Sequence, residues 1–161
     1  MKKLLLSLIV VLSSTVMFAQ SNVNELMDKF RGREDVNVIS ISGSMFKMGA
    51  NFIDEKDEEA KMAKSVASQI EQMDIVNTNS EKGSVELRSE VQKLLKKQKY
   101  EEMMTVDSEG EKVKFYGILN GEILKEFFIF VEDKREATLI SMKGNINPKN
   151  IGKLMEKTKV N

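Results

Sequence analysis

The sequence predicts a single α+β domain whose helices pack on one mixed β-sheet of about six strands. One observation is a run of three strands over residues 112–119, 122–131 and 137–143, which are rich in β-branched and aromatic residues. A second is the pair Asn120-Gly121, which a two-residue hairpin turn favours because both central residues need positive φ. A third is the helical spacing of apolar residues in earlier segments. We therefore expect a C-terminal antiparallel meander after an alternation of helices and strands.

Residues 1–19 have the pattern of a secretory signal peptide. Lys2 and Lys3 precede an apolar run over residues 4–12, and Ala19 is the small residue before the expected cleavage site. The run is too short for a permanent transmembrane helix, and an uncleaved anchor is the alternative interpretation. We expect a periplasmic or secreted protein in which residues 20–161 form one domain.

The chain contains neither cysteine nor histidine. Without cysteine it has no lipoprotein acylation site and no disulfide, so no stable membrane anchor is expected. Ordinary zinc sites and His-dependent nucleophile systems are also excluded. Removal of Lys2 and Lys3 leaves 23 basic and 25 acidic residues, a balance that argues against nucleic acid as a partner. We expect no catalytic residues, no cofactor and no metal, and the remaining enzyme hypothesis is a hydrolase that uses carboxylates alone.

The first half of the domain is predicted to alternate helices with strands. Helices are expected over residues 22–31, 54–72 and 84–99, and strands over residues 36–45 and 73–78. The order strand, helix, strand favours a right-handed crossover, so we expect the two strands to be parallel. The two later helices are then expected on one face of the sheet.

Acidic and basic clusters near the helix ends have two interpretations. Residues 54–59 are mostly acidic, which favours a helix start capped by Asp54 or Asp57 over a calcium loop, because the alternating ligands and central glycine of that loop are missing. Ser84 is the expected cap of the following helix. The lysines at its far end fit the helix dipole better than a phosphate site, since no aromatic residue is interleaved among them.

Methionine is the remaining candidate metal ligand. Met45 and Met48 are spaced closely enough to suggest a Cu(I) site in an exported protein. Most methionines of the chain, however, fall on expected inner faces, where methionine fills irregular gaps in a core. The core interpretation explains more residues, so no copper site is expected.

The two hairpins of the meander determine which side chains share a face. A turn at Glu109-Gly110 places Val106 opposite Val113 and Met104 opposite Phe115. The turn at Asn120-Gly121 places Leu119 opposite Glu122 and Phe115 opposite Glu126. One apolar face then collects Val113, Phe115, Leu119, Leu124, Phe128 and Phe130. The other, the candidate interaction face, collects Tyr116, Ile118, Ile123, Phe127, Ile129, Ile140 and Met142.

This second apolar face raises the main functional question. One interpretation is that the first or the last helix covers it. The last helix is expected to start at Pro148 with Asn147 as cap and to turn Ile151, Leu154 and Met155 inward. Otherwise it is an interaction surface, because an uncovered apolar patch of this breadth usually marks one.

Three functions remain open at this point. The first is a non-catalytic binding or protein-interaction module that engages a protein, a peptide, a lipid-like ligand or a second copy of itself. The second is a structural or regulatory envelope protein without a ligand. The third is the carboxylate-only hydrolase.

The chain resembles the small exported proteins of Bacteroidota catalogued as domain of unknown function 4252 (DUF4252). The similar features are the short helix after the signal, the strand Ile39-Ser40-Ile41-Ser42, and the run over residues 127–131 followed by an acidic turn and residues 139–146. The resemblance implies an α+β domain of the cell envelope with no assigned activity and no active-site residues to transfer. Many relatives are lipoproteins, whereas this chain lacks the cysteine that anchoring requires.

Overall fold

A computed structural model of the protein describes residues 22–108 and 110–150. Within them, four helices of eight or more residues and six strands confirm the α+β class. The elements are α1 (Asn22–Phe30), β1 (Val36–Ser42), α2 (Gly43–Ala50), α3 (Glu58–Gln69), β2 (Ile70–Thr78), α4 (Glu81–Lys97), β3 (Glu101–Ser108), β4 (Glu111–Asn120), β5 (Ile123–Glu132) and β6 (Ala137–Ile146).

The six strands form one open sheet in the order β1-β2-β6-β5-β4-β3, and every neighbouring pair is antiparallel. The strand number and the meander from β3 to β6 are therefore confirmed, but the mixed sheet and the parallel first two strands are wrong. β1 ends at Ser42, where Gly43 begins the unpredicted helix α2. α2 and α3 return the chain to the place where β1 ended, since Ser42 lies opposite Gln72 near the start of β2. β2 consequently runs back along β1.

One face of the sheet is covered by α1 and α4, and we term it the helix-covered face. Phe128 is fully buried at its centre, with ring centroids 4.8 Å from Tyr100 and 4.9 Å from Tyr116. α2 and α3 lie on the other side of the sheet, so the expectation that both later helices share a face is wrong. The core between the helices and the sheet includes Val23, Leu26, Met27, Phe30, Val76, Leu87, Val91, Leu94 and Leu139.

The helix caps explain where α3 and α4 begin. The Asp57 carboxylate accepts a hydrogen bond from the Ala60 amide at 2.8 Å, which confirms the predicted acidic cap of α3. α4 is capped by Ser80, whose hydroxyl accepts from the Gly83 amide at 3.0 Å, and the prediction of Ser84 as cap is wrong. Ser84 is instead buried within the helix, 2.7 Å from the Thr78 hydroxyl.

A charged cluster ties the loop before β1 to the start of α4. The Arg33 guanidinium donates two hydrogen bonds to the Asp35 carboxylate, at 3.0 and 2.9 Å, and also pairs with Glu86. The Ser80 hydroxyl donates to the same carboxylate at 2.7 Å. The hydrogen bonds from Arg33 and then Ser80 lower the pKa of Asp35 from its ordinary 3.8 to about 2.

This cluster predicts a specific dependence of stability on acid. The unfolded Asp35 carboxyl takes up its proton near pH 3.8, whereas the folded one keeps its charge down to about pH 2. The contribution of Asp35 is therefore complete above the unfolded pKa and is lost as the pH falls through the folded pKa. In Asp35→Asn we expect the free energy of unfolding to fall less steeply with pH over this window, as measured by urea unfolding at a series of pH values.

Asp54→Asn is the matched control, because Asp54 is largely exposed and pairs with the exposed Lys56. It should keep the acid slope of the unmodified protein. If Asp35→Asn keeps that slope as well, the cluster around Arg33 does not stabilise the fold in the way its hydrogen bonds indicate.

Candidate interaction surface

The sheet face opposite α1 and α4 carries three parallel rows of side chains, and we term it the open face. The cross-strand register aligns them strand by strand. The central row is Ile39, Ile75, Ile140, Ile129, Phe115 and Met104. One flanking row is Asn37, Asn77, Thr138, Val131, Val113 and Val106, and the other is Ile41, Met73, Met142, Phe127, Gly117 and Glu101.

Apart from Glu101 at the β3 edge, none of the residues in these three rows carries a charge. At the two edges of the sheet, Ile39 is 49% exposed and Val106 is 44% exposed. Between them Ile75, Ile140 and Ile129 are half-buried. When one face of an antiparallel sheet is solvated, each strand normally alternates polar residues on that face with apolar residues on the core face. The open face departs from that pattern across its full width.

α2 and α3 cover only one end of the open face. Phe46 of α2 packs there against a buried cluster that includes Ile70, Phe127 and Ile146. The ring of Phe127 also stacks on that of Phe115, with centroids 5.9 Å apart. Ile75 and Ile140, in the middle of the central row, belong to neither buried cluster of the protein. The centre of the row is therefore left uncovered by the helices of the described part of the chain.

The open face contains four of the residues predicted for the interaction face, namely Phe127, Ile129, Ile140 and Met142. Tyr116 and Ile118 lie on the helix-covered side instead, and the prediction for them is wrong. Tyr116 is 6% exposed and belongs to the core with Phe128.

The register of the β4–β5 hairpin explains this correction. Asn120 pairs with Ile123, so the two turn residues are Gly121 and Glu122, and the ladder is irregular at Ile118/Leu119. Phe115 therefore lies opposite Ile129 and not opposite Glu126. Because a slip by an odd number of residues moves a strand's whole side-chain set to the other face, Phe115 and Tyr116 exchange sides.

Ile123 was also predicted for the interaction face. It lies beside the turn, paired with Asn120, and is half-buried. Its neighbour Leu124 is the residue that packs with Phe127 in the cluster under α2. Successive residues of a strand point to opposite sides, so Ile123 points away from the open face.

The terminal helices do not cover the open face in the way the sequence indicated. α1 packs on the helix-covered face beside α4, so the first helix is not its cover. At the other terminus, Asn147 caps Pro148–Asn150 as predicted, accepting from the Lys149 amide at 3.0 Å. The predicted inward residues Ile151, Leu154 and Met155 lie outside the described residues.

The residues that sequence analysis missed come from the first two strands. Ile39 and Ile75 lie opposite each other, and Ile75 lies opposite Ile140 of the meander. The alternation of isoleucine with serine in β1 is a signal of a strand with one apolar side. The sequence alone could not connect this apolar side of β1 with the meander. The expected parallel pairing of β1 and β2 does not place Ile39 and Ile75 in line with Ile140 of β6.

A cavity with a volume of about 610 Å³ lies between the turns at one end of the sheet. Its lining includes Asp133 and Glu136. The Asp133 carboxylate accepts hydrogen bonds from the amides of Arg135 at 2.6 Å and Glu136 at 2.7 Å, which lower its pKa. This carboxylate therefore holds the β5–β6 turn, which makes it a poor candidate for a general acid.

The acidic run before α3 is similarly engaged in local contacts. Glu58 pairs with Lys61 at 2.7 Å, and Glu55 pairs with Lys64 at 2.8 Å. Among residues 22–108 and 110–150, no group of three acidic side chains is arranged to hold a metal ion. Met45 and Met48 are 54% and 51% exposed on α2, so these two methionines are not among those that fill gaps in the core.

None of the described helices combines the length and the apolar character needed to span a membrane, and α4, at 17 residues, is the longest of them.

Fold and surface together define a class: small α+β proteins with one antiparallel sheet, helices over one face and a largely uncharged second face that the described helices cover only at one end. The model of a family described as Domain of unknown function (DUF4252) matches residues 30–154, a range that takes in all six strands. The chain belongs to this family. No curated protein and no solved structure matches the chain.

Proposed function

We propose that the protein is a non-catalytic interaction module of the cell envelope that binds a partner protein through the open face. The observation that carries this proposal is the central row, six uncharged apolar side chains in register across all six strands. Burial of apolar surface yields roughly 25 cal/mol per Å², so a partner that covers the row gains a large driving force. The signal-like residues 1–19 support an exported location.

The chemistry of the face favours a protein partner with a complementary apolar surface. Lipid headgroups that are anionic are recognised by clusters of lysine and arginine, and the three rows contain neither residue. An amphipathic helix suits the face better, since α2 already packs on its covered end through Phe46. Binding of this kind depends weakly on ionic strength, because no charge pairs are screened.

Photo-cross-linking in the natively producing cells tests the proposal. A photoreactive phenylalanine analogue at Ile140 should give a covalent adduct with one partner protein, identified by mass spectrometry. The same analogue at Val85, which is 57% exposed on α4 on the other side of the molecule, should not form this adduct. Adding Ile75→Arg to the Ile140 variant should abolish the adduct, provided that circular dichroism shows an unchanged fold.

Three results would contradict the proposal. The first is an adduct with lipid alone, which would make the open face a lipid site. The second is the same adduct from Ile140 and from Val85. The third is no adduct at Ile140 in cells that produce the folded protein.

A further inference from the structure

We propose that two copies of the protein associate through β1, which pairs antiparallel with β1 of the second copy and joins the two sheets into one. The sheet is open, with β1 and β3 as its edge strands. An edge strand presents a row of unpaired backbone N–H and C=O groups, which is a template for pairing with another chain. The choice between the two edges follows from their side chains.

β1 lacks the usual protection of an edge strand. Its seven residues, Val-Asn-Val-Ile-Ser-Ile-Ser, include no charged residue, no proline and no glycine. Proteins normally blunt an exposed edge with lysine, proline or a bulge, and the β1–β2 ladder is regular along its whole length. β3 differs, because it carries Glu101, Glu102 and Asp107. Pairing of β3 with itself would bring acidic side chains together, which is unfavourable.

The length of β1 determines the register of the pair. Full overlap of two antiparallel copies of Val36–Ser42 places Ile39 opposite Ile39 of the second copy, with Val36 opposite Ser42. Side chains directly opposite each other lie on the same face, so Ile39 stays on the open face. The central row then continues from one copy into the next, and the 49% exposure of Ile39 is reduced.

The other side of β1 also accepts this arrangement. Ser40 lies there with its hydroxyl 3.1 Å from Arg31, which donates to it. The Arg31 guanidinium also pairs with Asp28 at 3.2 Å, so the cation near this edge brings its own counterion. In the proposed register Ser40 lies opposite Val38 of the second copy, and the two Arg31 side chains are not placed directly against each other.

Disulfide trapping tests the register directly, since the unmodified chain contains no cysteine. Opposite residues of an antiparallel pair have Cα atoms about 4.5 or 5.5 Å apart, within the range that a disulfide spans. In the purified protein, Ile39→Cys should therefore form a covalent dimer under mild oxidation. Val106→Cys is the matched control, because Val106 is exposed to a similar degree on the same face but at the β3 edge. It should stay monomeric in a denaturing gel.

Analytical ultracentrifugation provides the second measurement. The unmodified protein should sediment as a dimer, and Ile39→Lys as a monomer, while Val106→Lys should remain dimeric. Asn37→Lys, at an exposed polar position of the same strand, should also be monomeric and guards against misfolding of the Ile39 variant.

Two results would overturn the inference. One is an unmodified protein that is monomeric at every accessible concentration. The other is trapping of Val106→Cys as efficient as that of Ile39→Cys. Ser40 of β1 is exposed on the side away from the open face, so loss of the dimer in Ser40→Lys with persistence of the partner adduct at Ile140 would show that the two proposals stand or fall separately.

Discussion

Phe128→Ala is expected to lower the free energy of unfolding by about 3–5 kcal/mol, the usual cost of removing a buried phenylalanine ring. Phe128 is fully buried and lies at the contact of the sheet with α1 and α4. The substitution removes its edge contact with Tyr100 and its tilted contact with Tyr116 and leaves a cavity in the core. Since a domain of this size has only about 5–15 kcal/mol of stability, much of it should be lost.

Guanidinium unfolding followed by circular dichroism measures this effect. Phe52→Ala is the control, because Phe52 is 83% exposed, and its free energy of unfolding should change by less than about 0.5 kcal/mol. Equal midpoints for the two variants would mean that Phe128 is not the centre of the core.

Gly144→Ala is expected to cost about 1–3 kcal/mol or more through overpacking. A Cβ at Gly144 of β6 would clash with the carbonyl oxygen of Gln69, the last residue of α3. That neighbour is backbone and cannot rotate away, and Ile70 follows it directly as the first residue of β2. Relief of the clash therefore requires movement of α3 or of the β2–β6 ladder.

Gly49→Ala is the matched control for this substitution. Gly49 lies in α2, and a Cβ there would meet nothing within 4 Å. Alanine at this helical position should stabilise the protein by about 0.5–1 kcal/mol, so the two Gly→Ala changes should move the unfolding midpoint in opposite directions. A stabilising effect at Gly144 would contradict the close approach of α3 to β6.

The sequence predicted those features that depend on local signals. The turn at Gly110, whose φ is +91°, gave the correct partners for Val106 and Met104. The helical spacing of Leu87, Val91 and Leu94 gave the buried stripe of α4. In both cases the residues that determine the structure are close together in the chain.

Features set by distant contacts were less accessible. The order strand, helix, strand does not reveal whether the second strand runs parallel or antiparallel to the first. Here the additional helix α2 helps to return the chain to the end of β1, so the two strands are antiparallel. In the β4–β5 hairpin, Asn120-Gly121 marked the turn to within one residue, but the ladder irregularity beside Leu119 exchanged the two faces of β4. This is why Tyr116 was expected on the interaction face and Phe115 was not.

The apolar character of the candidate surface could therefore be predicted from the sequence, but not all of the residues that form it. Ile129 and Ile140 were found because both belong to the meander, whose pairing is local. Ile39 and Ile75 required the knowledge that β2 lies beside β6, where Ile75 pairs with a residue 65 positions further along the chain.

The placement of β6 between β2 and β5 has a consequence for how the molecule is assembled. The first two strands and the β3–β5 meander can each begin to pair alone, but only the last strand links them. Contacts such as Ile75 with Ile140 are distant in sequence, and closing them is slow. A polypeptide that ends before Ala137 would contain two separate fragments of the sheet. The native sheet can therefore form only once β6, the last described strand, is present.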